Sequence, residues 1–462
     1  MKNKLFLIIC LILGFFVRTY DFKYRFNYTH DADLAAWVVK DIVVDHHFRL
    51  IGQLTSSSGI FIGALYYYLQ IPFFWLSGMD PVGTIWLSVG VSLLGIASAW
   101  YVLGTYGSLI YAVSWLVANT EREIVPTVPV FLWSIWFYHT LVKLWNGEKK
   151  WLYVAVILIS LIWHFNLALI LGAPLLLLAI LKNIKTYSPR EIVLPLLLAL
   201  FLNLPLLVFE TRHGFVQTKS LIATVTTVGG KTNKINQTIT YVIRNANRVF
   251  VPDNLARPAW FLPLVLISLI ILFSNKRWLI LSWVGLYIVF FSFHPLPLSE
   301  YYLNGITIVW IIAASIGLQK LPKILIALIL TIFLGINLYR MFIFDTNHAG
   351  YIERKALVSY IKEDAARHNY PCVAVSYITS PGNNFGYRYW FWFFRLKAMR
   401  PDTLAPVYTI VFPHSYVNRL DKTFGALGLI FPDYPEYTKE GIAKSCDLPD
   451  QNLTESMFGF TK

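Results

Sequence analysis

About eleven runs of apolar residues, separated by short loops that carry most of the lysines and arginines, leave this chain few ways to fold. A helix needs roughly 20 such residues to cross a bilayer. The candidate spans are 4–18, 81–104, 107–119, 124–145, 151–163, 165–182, 191–210, 258–273, 278–293, 301–318 and 322–343. The chain is 56% hydrophobic and 14% charged, where a soluble chain carries about 25% charged residues. Lipid, not a large core, accounts for that excess. The net charge of +14 belongs to short loops between spans, which is the positive-inside pattern and not a nucleic-acid surface. The first run ends in Arg18-Thr19-Tyr20-Asp21, too bulky and charged for a signal-peptide cleavage site, so an uncleaved span is expected.

The basic loops test the count. Lys2/Lys4, Lys149-Lys150, Lys182 with Lys185 and Arg190, Lys276-Arg277, and Lys320 with Lys323 should share the cytoplasmic side. The stretch 151–182 is too long for one crossing and has positive clusters at both ends. A hairpin of two short helices turning at His164-Phe165-Asn166 satisfies both facts. The apolar run Ile60–Leu76 breaks this parity if it spans. It is therefore read as a surface helix, with Tyr66, Tyr67, Tyr68 and Trp75 at the interface. The expected organisation is a transmembrane domain, 1–343, with a first outer loop 19–80 and a large outer loop 211–257. A C-terminal extracytoplasmic α/β domain, 344–462, follows. In that domain a polar helix is expected over 351–369, strands over Cys372–Ile378 and Val407–Phe412, and an aromatic helix over Phe385–Lys397. Cys372 and Cys446 lie in it and can pair if it faces an oxidising compartment.

The polar residues that are hardest to explain by packing gather in the outer segments. His30-Asp31-Ala32-Asp33 precedes a helical pattern. Asp31 is either its N-cap, worth about 1 kcal/mol, or a general base at the membrane surface. His164 and Asn166 sit at a hairpin tip. Thr120-Glu121-Arg122-Glu123 forms another tip, either solvated or functional. Glu210-Thr211-Arg212-His213 closes one span, and Glu300-Tyr301 opens another. No Walker loop, HExxH, GxSxG or cysteine-rich metal motif occurs. Charges within the spans are nearly absent, which argues against an ion-coupled transporter. Chemistry on a lipid-borne substrate at one membrane face fits better.

The order of these features resembles the GT-C glycosyltransferases, in the bacterial branch similar to protein O-mannosyltransferases and to the aminoarabinose transferase of lipid A. The resemblance covers roughly 1–345 and rests on four segments. They are His30-Asp31-Ala32-Asp33-Leu34-Ala35-Ala36-Trp37, Gly63-Ala64-Leu65-Tyr66-Tyr67-Tyr68, Trp163-His164-Phe165-Asn166 and Glu300-Tyr301-Tyr302-Leu303. It implies a helical polytopic GT-C-like fold with surface helices in the first outer loop. It also implies sugar transfer from a polyprenyl-phosphate donor to an extracytoplasmic acceptor, with no nucleotide, cofactor or metal. Where the family has an Asp-Glu pair, this sequence has Asp31-Ala32. Aligning Asp31 with the first acid makes it the base, with Asp33 beside it. Arg122, Glu123, His164, Asn166, Arg212, His213, Arg248, Glu300 and Tyr301 then become substrate-binding candidates, and Arg212, Arg244, Arg248 and Arg257 are candidates for the lipid phosphate. The alternative is a transporter or flippase for a lipid-linked glycan, which needs no base at Asp31.

Overall fold

A computed structural model describes residues 4–55, 57–227, 233–251, 260–294, 298–380 and 382–453. The first span is helix α1, Lys4–Thr19, followed by a short turn α2, Phe22–Arg25, and the outer helix α3, His30–Val43. A two-stranded antiparallel hairpin, β1 (Ile51–Leu54) and β2 (Phe61–Gly63), leads into α4, Leu65–Leu76. At 12 residues and 1.5 Å per residue, α4 is about 18 Å long, and it buries Tyr66, Tyr67, Gln70 and Phe74.

The next element, α5 (Ile85–Val113), is broken at Gly104, whose φ of 83° is closed to helical geometry. Ser108 Oγ donates to the Ile96 carbonyl at 3.0 Å, and a Cβ on Gly95 would lie 2.3 Å from the Tyr111 hydroxyl. In a straight helix these partners would stand about 18 and 24 Å apart. The chain therefore folds back at Gly104, giving the two adjacent spans expected from the apolar runs, and α6 (Trp115–Thr120) completes the second. Beyond it come α7 (Val130–Trp145), α8 (Trp151–Phe165) and α9 (Ala173–Lys182). The α8–α9 hairpin turns at Asn166, whose side chain accepts from the Ala168 amide at 2.9 Å. The following span is bent by 61° between α10 (Pro189–Leu202) and α11 (Leu204–Arg212).

The large outer loop departs from expectation. It contains two helices, α12 (Val216–Thr227) and α13 (Ile235–Phe250). The second is amphipathic and buries Val242, Ile243, Asn245, Ala246 and Val249. Asn245 bonds Thr307 and Trp310, and Ser114 Oγ reaches the Val249 carbonyl. Polar side chains interleave with the apolar ones in 235–250, so no continuous apolar run marks the helix; its periodicity does. The remaining spans are α14 (Phe261–Phe273), α15 (Arg277–Phe293), α16 (Thr307–Leu318) and α17 (Lys323–Ile343). Large apolar side chains such as Leu194, Leu197, Leu264, Trp278, Ile324 and Leu328 stay exposed on the bundle, as a lipid-facing surface requires.

The basic loops meet at one end. Lys149 bonds Glu191 at 3.3 Å, Lys182 the Trp145 carbonyl at 3.1 Å, and Lys276 the Asn146 side chain at 2.7 Å. At the other end sits the small C-terminal sheet domain. Helix α18 (Tyr351–Arg367) covers a sheet of β3 (Val373–Thr379), β4 (Ala398–Met399), β5 (Val407–Phe412), β6 (Lys422–Phe424) and β7 (Leu427–Ile430), in the order β4-β3-β5-β7-β6. The β3 strand runs parallel to both neighbours, whereas β5-β7-β6 is antiparallel. The aromatic helix is shorter than expected, Arg388–Phe393, and a last helix, Lys439–Cys446, carries one end of a disulfide. Cys372 and Cys446 are joined, with Cα atoms 5.5 Å apart.

This arrangement makes a topology prediction. Lys149→Cys should label only from the cytoplasm and Ser359→Cys only from outside. Labelling of both from one side would overturn the assignment of ends, and the surface placement of α4 with it.

Candidate functional site

Helix α3 places the two acids of its first turn on different faces. Residues two apart on a helix point about 200° apart, so Asp31 and Asp33 cannot serve one pocket. The cap position is Thr29, not Asp31, because the helix begins at His30. Asp31 therefore lies inside the first turn, where a carboxylate meets the positive end of the helix dipole. It is half-buried and turned toward the bundle, where its charge acts on Glu123 and Tyr67.

Asp33 turns the other way. It is 5% exposed. Its Oδ1 accepts from the Tyr28 hydroxyl at 3.0 Å and from the Tyr389 amide of the sheet domain at 3.0 Å. Burial pushes its carboxyl up to about 6, against the two hydrogen bonds and the nearby Arg354 and Arg388. Neighbouring contacts hold the same interface: Tyr351 donates to Asp80 at 3.0 Å, Lys355 pairs with Asp80, and Tyr389 donates to the Met79 carbonyl at 2.6 Å. Asp33 is thus an anchor between the membrane part and the sheet domain.

A prediction follows from the raised Asp33 carboxyl. A pKa above its unfolded value means that the folded state binds the proton more tightly. The stability this gives is full below about 4 and lost as pH rises through about 6. Asp33→Asn keeps an Oδ1 acceptor for both donors and carries no charge. Its thermal stability at pH 7.5 should match or exceed that of the parent and lose the gain seen on acidification to pH 5. Asp33→Ala strands two buried donors and should cost about 1–3 kcal/mol. If Asn proves as damaging as Ala, Asp33 does not act as a neutral-tolerant anchor.

The 120–123 tip is only partly solvated. Glu121 and Arg122 are buried. Arg122 donates to the carbonyls of Val17, Arg18 and Tyr20, closing the end of α1. That contact explains its burial without a substrate. Glu123 is the exposed member and lines a cavity of about 240 Å³ with Arg25, Asn27, Asn119 and Asp345. Desolvation by the surrounding protein, and then the charge on Asp31, raise its carboxyl above the ordinary range even though the residue is open to solvent.

At the hairpin tip His164 is buried beneath the start of α4. A Cβ on Gly63 would lie 2.0 Å from its Nδ1, so only glycine lets the β2 backbone pass over the ring. Asn166 caps the turn after α8. Glu210 accepts from the amides of Gln217 and Thr218 at 3.0 Å, tying α11 to α12. Beside it, His213 stacks on Phe209 and Arg212 is exposed. The structure does bring Arg244, Arg248 and Glu300 together. Glu300 Oε1 pairs with Arg244 at 2.7 Å and Oε2 with Arg248, and Tyr301 stands exposed next to them. Glu300 thus holds the two guanidiniums side by side. Arg257 lies outside the described residues. Among those described, no three His, Cys, Asp or Glu side chains gather to hold a metal ion.

Solved structures share this architecture over nearly its whole length. The crystal structure of ArnT from Cupriavidus metallidurans bound to undecaprenyl phosphate matches 92% of this chain and 97% of its own, with a TM-score of 0.56 at 10% identity. The chain has the GT-C fold of ArnT. ArnT in the apo state matches 94% of this chain and 98% of its own, again at a TM-score of 0.56 and 10% identity. No family profile and no curated protein matches the sequence. Within the ArnT fold of this chain, Asp31, Glu123, the Arg244–Arg248–Glu300 trio and the sheet domain all lie toward the end opposite the basic loops. The sequence did not show the partners that fix this end. Tyr28, Arg354 and Tyr389 are ordinary in sequence, and only their contacts mark them.

Proposed function

We propose that this chain is a membrane glycosyltransferase that moves a sugar from a polyprenyl-phosphate carrier to an acceptor outside the cytoplasm. The observation that carries this reading is the full-length likeness to a protein solved with undecaprenyl phosphate. The outer end adds the chemistry. Asp31, half-buried and pointed toward the bundle, takes the proton from an acceptor hydroxyl or amine as that atom attacks the anomeric carbon. The bond from that carbon to the phosphate oxygen breaks, and its electron pair leaves with the lipid phosphate. A single displacement inverts the anomeric centre. The guanidiniums of Arg244 and Arg248 stabilise the leaving phosphate at headgroup depth. Glu300 keeps the two guanidiniums in register.

The test is transfer of labelled sugar from a set of polyprenyl-phosphate donors to cell-envelope fractions, with the Asp31→Asn variant in parallel. Incorporation that depends on both the lipid donor and Asp31 supports the reading. Label that crosses the membrane but stays on its lipid, in parent and variant alike, overturns it in favour of a flippase.

A further inference from the structure

A cavity of about 430 Å³ opens between the start of α3 and the sheet domain. Its walls include His30, Asn384, Tyr387, Arg388, Arg400 and Asn452. Asp33 also borders it, so it lies across α3 from the face that carries Asp31. The cavity is within the usual range for ligand pockets, roughly 300–1,000 Å³, and holds about one or two sugar rings.

Its chemistry is specific. Arg388 is fixed in place: its Nε donates to the Asn452 carbonyl at 2.7 Å, and its guanidinium lies 4.0 Å from the centre of the Trp37 ring. Arg400 is exposed. The Tyr387 hydroxyl is buried and has no hydrogen-bond partner among the described residues. His30 and Phe385 place their rings 4.7 Å apart. The carboxylate in the wall, Asp33, has its Oδ1 occupied by Tyr28 and Tyr389. Amides, a hydroxyl and aromatic edges suit a hydroxyl-rich ligand, and the exposed Arg400 guanidinium suits a carboxylate or phosphate on it.

We infer that this cavity is a second saccharide subsite, which binds an anionic sugar in the part of the acceptor remote from the reacting group. The inference rests on the transferase reading for the word acceptor. Remote binding of this kind holds the acceptor while its nucleophile reaches round to Asp31.

The test uses the full chain in detergent, titrated with glucuronate, glucose 6-phosphate, glucose and inorganic phosphate, and followed by saturation-transfer NMR. Both anionic sugars should bind with Kd near about 1 mM, at least tenfold tighter than glucose or phosphate alone. Arg400→Gln and Asn384→Ala, both outside the core, should each weaken them severalfold or more. Lys439→Gln, an exposed charge on the last helix, should not. Asp31→Asn should leave binding intact. Equal binding of phosphate and glucose 6-phosphate overturns the saccharide site, as does binding that ignores Arg400→Gln or no saturable binding at all. In the transfer assay Arg400→Gln should raise the acceptor KM at least tenfold. An unchanged KM overturns the subsite and leaves the transferase reading standing. Arg400-dependent sugar binding without any transfer supports the site and removes the transferase reading.

Discussion

Asp31→Asn is expected to lower sugar transfer by about 10²–10⁴-fold, the usual contribution of a positioned general base. The protein should still fold and bind its lipid donor. Asparagine has nearly the size of aspartate, and Asp31 is not the cap of α3, which lies at Thr29. What the variant loses structurally is the attraction of a carboxylate for the helix dipole, about 0.3–1 kcal/mol. A kinetic loss with normal expression therefore isolates the proton transfer. Asp33→Asn is the internal comparison, because its carboxylate faces the sheet domain and should tolerate neutralisation. If Asp33→Asn is inactive and Asp31→Asn works, the two acids have been given each other's roles. If both variants transfer sugar normally, neither is the base. Rates are best taken from pH 5 to 9. Glu123, whose carboxyl is raised by desolvation and by the charge on Asp31, gains charge within that range, and Glu123→Gln should flatten the part of the profile it causes.

Glu121→Ala should be the most damaging single change to stability outside the site. Arg18 and Glu121 are 1% and 0% exposed and bonded at 2.6 Å. Tyr111 donates to the same carboxylate at 2.5 Å, and Arg18 also reaches the Ala112 carbonyl at 2.7 Å. Truncating Glu121 leaves a buried guanidinium with no counter-charge, which costs about 3–5 kcal/mol. Loss of the monodisperse peak on fluorescence size-exclusion, or a large fall in thermal midpoint, is the readout. Replacing both partners by apolar residues, Arg18→Met with Glu121→Leu, should recover most of the loss, because no unpaired charge remains. A double variant no better than Glu121→Ala would mean that the pair does more than neutralise itself.

The sequence and the structure agree where the physics is a local sum. Transfer of a side chain into lipid depends on that residue and little else, so the apolar runs were legible, including the crossing on either side of Gly104 and the hairpin that turns at Asn166. The basic loops gathered at one end because charge excludes them from the bilayer. Helix α13 was not legible as an element of the bundle, because Asn245 breaks its apolar run and is satisfied only by the distant Thr307 and Trp310.

By itself the sequence determined where the apolar runs lie, the change of character after 344, and the presence of an acidic pair at the head of a helix. Only the tertiary structure decided what surrounds each acid. The amide that holds Asp33 belongs to a residue 356 positions away, and the guanidinium that neutralises Glu121 lies 103 positions away. Hydrogen bonds and ion pairs are contacts between particular atoms at about 3 Å. No local pattern encodes which distant side chain will arrive, so it is the fold that turns Asp31 toward the bundle and Asp33 toward the sheet domain.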